Sequence, residues 1–169
     1  MKLARMIPAA LGAALLTGGL AVPAGAQTVV RPDPRGDAPD RIDVTRAAYA
    51  HGEHRVRVIA RTPELGKAGT ADLLISRFEI FEAGYVVRIR QRRDRPARLS
   101  LLHFDHFDLL PVACEGLSGA WGPRRIRLSV PRSCLTGHAT NRVFAQLFVA
   151  FGSGEQFDEV RAVKRLRRG

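Results

Sequence analysis

Two sets of side chains in this sequence have types and spacing that could do chemistry. The first is acidic. Asp33, Asp37, Asp40 and Asp43 alternate with Pro32, Pro34, Gly36 and Pro39. A Pro/Gly-rich loop can wrap carboxylates and carbonyls around one calcium ion, which takes roughly six to eight oxygen ligands. The spacing is not that of an EF-hand loop, and aspartate also serves as a turn former in its own right. The second set is basic: Arg88, Arg90, Arg92, Arg93 and Arg95 with Arg98 nearby, and Lys164, Arg165, Arg167 and Arg168 near the C-terminus. Gathered on one face, these would hold phosphate, sulfate or carboxylate polymers by releasing condensed counterions. The plainer alternative is a solvated strand face followed by a basic tail. Little aromatic residue is interleaved for base stacking and no nucleic-acid motif is present, so sequence-specific nucleic-acid binding is not expected.

The histidines offer less. In His51-Gly52-Glu53-His54 the two imidazoles are three apart, with a glycine between them, and an alternating segment follows at once. Zinc proteases need helical i, i+4 spacing, so a hairpin tip is the expected role. In His103-Phe104-Asp105-His106-Phe107-Asp108, a strand would put His103 and Asp105 on one face and His106 and Asp108 on the other. Each face would then hold two metal ligands, and no third is visible. There is no G-x-S-x-G elbow for a nucleophilic serine. A carboxylate-pair hydrolase or a metal-dependent enzyme remains the alternative function, because such pairs converge in space and not in sequence. The expected function is non-catalytic binding or association with the cell envelope.

These side chains sit in a chain of 169 residues with a formal charge of +11, of which 46% are hydrophobic and 25% charged. That is the composition of one folded globular domain. Arginine outnumbers lysine 24 to 3. The first 26 residues read as a secretory leader: Lys2 and Arg5 precede the uncharged run from Met6 to Val22, and Ala24-Gly25-Ala26 supplies the small residues that signal peptidase requires. Cleavage is expected after Ala26, with residues 27–43 forming an acidic Pro/Gly-rich segment that leads into a domain over 44–169. No second long apolar run follows, so the exported product should carry no transmembrane segment. In an oxidising compartment the single pair Cys114 and Cys134 is expected to form a disulfide. Closing the nineteen residues between them would stabilise the fold by roughly 3 kcal/mol in the chain-entropy picture.

Beyond residue 43 the dominant signal has period two. Val56, Val58 and Ala60 alternate with Arg55, Arg57 and Arg61; Ile126, Leu128 and Val130 alternate with Arg125 and Arg127; Tyr85, Val87 and Ile89 alternate with Arg88 and Arg90. Such segments make a sheet with one dry and one wet face. Further strands are expected over Ile42–Ala48, Leu73–Phe81, Leu99–Phe107 and Val143–Phe151. In the last, Phe144, Leu147, Phe148 and Phe151 also fit a buried helix, but Gly152-Ser153-Gly154 turns the chain straight afterwards. Turn signals recur throughout, Arg95-Pro96 among them, and the stretch from Gln27 to Asp43 is expected to form turns and not ladders. The fold expected is an all-β, antiparallel two-sheet sandwich, of jelly-roll or immunoglobulin-like type.

The segment Asp33-Pro34-Arg35-Gly36-Asp37 through Asp40-Arg41-Ile42-Asp43-Val44, then His51-Gly52-Glu53-His54 and its following strand, resembles the opening of family 9 carbohydrate-binding modules and DOMON-like domains. Over most of residues 27–169, the leader, that hairpin tip and Val130-Pro131-Arg132-Ser133-Cys134-Leu135 resemble a group of secreted actinobacterial β-sandwich proteins. The resemblance implies export and a sandwich architecture, and it raises the prospect of glycan binding. Sugar-binding members sandwich a ring between exposed tryptophans, and Trp121 is the single tryptophan here. A binding surface would therefore be either clustered arginine or an aromatic platform around Trp121 and Tyr85.

Overall fold

A computed structural model describes residues 27–77, 82–106, 108–138, 141–152 and 156–169. The leader expected over residues 1–26 lies outside the described residues. Twelve strands are described: β1 (Gln27–Pro32), β2 (Arg46–His51), β3 (Arg55–Arg61), β4 (Gly69–Ser76), β5 (Ala83–Arg92), β6 (Arg95–Asp105), β7 (Asp108–Val112), β8 (Ser118–Gly122), β9 (Arg125–Pro131), β10 (Arg142–Phe151), β11 (Gln156–Glu159) and β12 (Val163–Arg167). They form two antiparallel sheets. Sheet A has the order β1-β2-β3-β9-β8. Sheet B has the order β11-β10-β4-β5-β6-β7, and β12 pairs with β10 end to end with β11. Among the described residues the only helical turn is Arg132–Cys134. No described helix is long and apolar enough to cross a membrane.

The alternating segments form strands for the reason the alternation suggests. In β3 the inward residues Val56, Val58 and Ala60 are fully buried, while Arg57 and Arg61 face solvent. Ile126 and Leu128 of β9 lie beside them, and Leu73, Ile75, Val87, Ile89 and Leu101 of sheet B face them across one dry core. The run from Val143 to Phe151 is a strand. It is central to its sheet, with β4 on one edge and β11 and β12 on the other, and Val143 to Leu147 are all buried. Burial on both faces erases alternation, which explains why helical spacing fitted it equally well.

Four expectations need correction. Gln27–Pro32 pairs with β2 over its whole length, so the N-terminal segment begins with a ladder and only then turns. Ile42 to Thr45 is not strand. Ile42 and Asp43 donate their amides to the Pro39 carbonyl, and Val44 donates to a carboxylate, so no ladder is needed to satisfy these buried donors. Pro96 belongs to β6, and the turn falls on Arg93-Asp94, beside a bulge between Arg90 and Arg92. The basic C-terminus is strand β12, which buries Val163 and Leu166 in the core. The segment Leu73–Phe81 is strand as far as Ser76, and its continuation over 78–81 lies outside the described residues, as does Phe107.

The disulfide Cys114–Cys134 is present, with Cα atoms 5.6 Å apart. It ties the connection that leaves β7 of sheet B for β8 of sheet A to the helical turn after β9. Arg55 pins the same connection. Its guanidinium donates to the Gly116 carbonyl at 2.7 Å and to the Ser118 hydroxyl at 3.1 Å, and its Nε to the Ser129 hydroxyl at 2.7 Å.

Candidate functional site

The β5–β6 hairpin carries the basic set. Its register places Arg90 opposite Arg98 and Arg92 opposite Arg95, two neighbouring rungs in which like charges face each other. Gln91 holds the turn together, its amide donating to the carbonyls of Arg92 at 2.6 Å and Arg95 at 2.9 Å. An open groove of about 330 Å³ lies over the solvent face, lined by Arg88, Arg90, Arg92, Arg95 and Arg98, with Leu99, Ser100 and Leu102. Arg88 is the exception within it. It makes a two-pronged ion pair with Asp72 at 2.8 and 2.6 Å, half-buried on both sides, and those hydrogen bonds hold its guanidinium firmly charged. Among the described residues, no ion pair links Arg90, Arg92, Arg95 or Arg98 to an acid.

The expected basic surface is therefore divided. Arg93 faces away from the groove into a hollow shared with Lys67 and Trp121. Arg165, Arg167 and Arg168 belong to the other end of sheet B. There Arg167 lies opposite Arg142 at the start of β10, whereas Arg90 lies in line with Thr70 and Ala150 near its end. Eight residues of strand separate those rungs, or about 26 Å. The aromatic platform does not form. Tyr85 is buried with its hydroxyl against Thr136 Oγ1 at 2.9 Å. Trp121 donates its indole N–H to the Gly66 carbonyl at 2.8 Å near Gly69, at the opposite end of β4 from Ile75, the partner of Tyr85.

The acidic set is rearranged. Asp33, Asp37 and Asp158 place one oxygen each within 4.8 Å of one another, the one such group of three among the described residues. Asp40 is exposed and outside the group. Asp43 is buried and accepts a hydrogen bond from the Gly36 amide at 3.0 Å, which folds the 33–43 loop over it. Asp158 is 2% exposed, and its carboxylate accepts the Val44 amide at 2.6 Å. Burial, reinforced by Asp33 and Asp37, pushes the Asp158 carboxyl up to about 7. Burial and Asp37 also raise Asp33, which shares a hydrogen bond with Asp158. One buried oxygen on Asp33 and one on Asp43 have no hydrogen-bond partner. The charge that burial makes costly on Asp33 and Asp158 would be relieved by a shared proton or by a cation. Asp158 lies far from the others in sequence and was not among the expected ligands. The available signal was its parity with Val160, which placed it on the inward side of a strand.

His51 ends β2 pointing inward, fully buried. Its Nδ1 donates to the Leu166 carbonyl at 3.2 Å, and burial lowers its pKa. His54 is exposed in the hairpin tip, as the spacing required. The strand expected over Leu99–Phe107 ends at Asp105. Asp105 pairs with Asp108 across a turn that holds His106 at φ 54°, so His106 and Asp108 do not share a strand face. His103 packs instead against the rings of Tyr85 and His138 at 5.0 and 6.0 Å.

No family model, curated protein or solved structure matches this chain.

Proposed function

We propose that the protein is an exported, non-catalytic module that binds an anionic polymer, such as a wall polymer or a sulfated or carboxylated glycan, in the β5–β6 groove. The observation that carries this reading is the pair of like-charged rungs, Arg90–Arg98 and Arg92–Arg95, none of them ion-paired to an acid among the described residues. Like charges directly opposite each other weaken a sheet, whereas a chain of phosphate, sulfate or carboxylate groups laid along the groove would neutralise both rungs. Arg88 is already occupied by Asp72 and would frame the groove without titrating the ligand. Export rests on the leader and is consistent with the disulfide. Immobilised heparin tests the reading. Residues 27–169 should be retained near physiological salt, and Arg90→Gln/Arg98→Gln should elute at clearly lower salt. Complete flow-through of the unsubstituted protein removes the proposal.

A second reading attaches to Asp33, Asp37 and Asp158, whose convergence favours a calcium ion as a structural partner. The donor set is all oxygen, which suits a hard cation. The ion would tie the N-terminal loop to β11 and would displace the shared proton.

A further inference from the structure

The strands of sheet A present charge of one sign to solvent. None of β1, β2, β3, β8 and β9 contains an aspartate or glutamate. Arg46, Arg61 and Arg125 lie directly opposite one another on three adjacent strands. One rung inward Arg127 faces Ile59, and on the next Arg57 faces Ser129. All five arginines are exposed, and none is ion-paired to an acid among the described residues. Adjacent strands are about 4.8 Å apart, well inside a Debye length of about 8 Å at physiological salt. The rung therefore repels itself, and nothing on its own sheet compensates. The chain's preference for arginine over lysine explains the residue type but not this registry. Between Arg57 and Arg127 a shallow groove of about 420 Å³ is lined by Ile59, Ala120 and Ser118. Short side chains there leave room for a polymer backbone to lie flat.

We propose that this face docks a second extended polyanion, one bearing phosphate or sulfate along a linear chain. It lies across the core from the β5–β6 groove, so one molecule would bridge two polymer chains. The bridging rests on the groove reading, whereas the face stands without it. The five cations extend over four residues of strand, about 13 Å, and two strand spacings, which matches an extended chain better than a single small anion.

The test uses residues 27–169, a heparin octasaccharide and long-chain polyphosphate. Two variants are compared with the unsubstituted protein: Arg46→Gln/Arg61→Gln/Arg125→Gln on the face, and Arg90→Gln/Arg98→Gln in the groove. Titration calorimetry should give two octasaccharides per protein, falling to one in either variant. The face variant should lower the slope of log K against log salt by about 2, at roughly 0.7 per cation removed. Long polyphosphate should raise light scattering with the unsubstituted protein alone. Melting should be unchanged or higher in the face variant, since the repulsion is relieved. Should that variant melt lower, Arg57→Gln/Arg127→Gln takes its place, with the same fall to one octasaccharide and a salt slope lower by about 1.4 for its two cations. Unchanged stoichiometry and salt slope in the face variants overturn the inference and leave the groove reading standing. A single site, lost in the face variant and untouched in the groove variant, keeps the face and removes both the groove and the bridging.

Discussion

Asp158→Asn changes one atom group in the buried acidic cluster and should remove most of the stability the protein loses toward alkaline pH. The Asp158 carboxyl titrates near 7 in the folded protein, against about 3.9 in an unfolded chain. Its folded form thus holds a proton that its unfolded form has lost between those values. Stability should accordingly fall as pH rises from about 4 through 7, and level off above. Three units at about 1.4 kcal/mol each set a ceiling of about 4 kcal/mol for the loss. Asparagine is neutral at every pH. Its oxygen can still accept the Val44 amide, and its NH2 can donate to Asp33 where the shared proton stood. At pH 8 the variant should therefore be more stable by about 2–4 kcal/mol, with a melting temperature on the order of 10 °C higher. At pH 4.5 the two proteins should agree within about 1 kcal/mol. Asp33, also raised by burial, leaves the variant a residual slope of the same sign. His51 opposes it: its lowered pKa means that stability is lost as pH falls below its unfolded value near 6.5. Denaturant melts at half-unit pH intervals read these slopes. Equal destabilisation of Asp158→Asn at pH 4.5 and pH 8 would refute the shared-proton argument. Repeating the series with calcium separates the two neutralising agents. If a cation binds, millimolar calcium should raise the melting point of the unsubstituted protein at pH 8 and leave Asp158→Asn unmoved. An identical melt in calcium and in chelator would eliminate calcium.

Two further outcomes test the framework that holds these sites. Tyr49 is fully buried, and its hydroxyl accepts the Leu147 amide at 3.2 Å. Tyr49→Phe orphans that donor and should cost about 1–3 kcal/mol in urea denaturation, and a loss below a few tenths would contradict the bond. Cys114→Ala/Cys134→Ala should cost roughly 3 kcal/mol without abolishing heparin retention, because the bridge lies in the β7–β8 connection and not in the groove. Loss of retention in a folded double variant would show that the bridge shapes the binding surface.

Strand identity and facing were legible wherever one face is dry and the other wet. Arg55 to Arg61 and Arg125 to Val130 alternate cleanly because a half-buried strand must, and those strands were placed to within a residue. Legibility failed where the environment is not two-sided. Gln27–Pro32 and Ser118–Gly122 are edge strands with little buried surface, so their composition resembles turns. β12 hides only Val163 and Leu166 among charged neighbours.

The functional surfaces divide along the same line. Local order alone established the charge, the disulfide partners and the arginines of the β5–β6 hairpin, since neighbours in a hairpin remain neighbours in space. Which arginines stay together was decided by sheet register, which set the C-terminal cations about 26 Å from the groove and aligned Arg46, Arg61 and Arg125 from three separate strands. The acidic cluster shows the same dependence: Asp158 joins Asp33 and Asp37 because β11 pairs with the end of β10. Long-range strand pairing brings together residues that no local pattern relates, and only the folded chain reveals it.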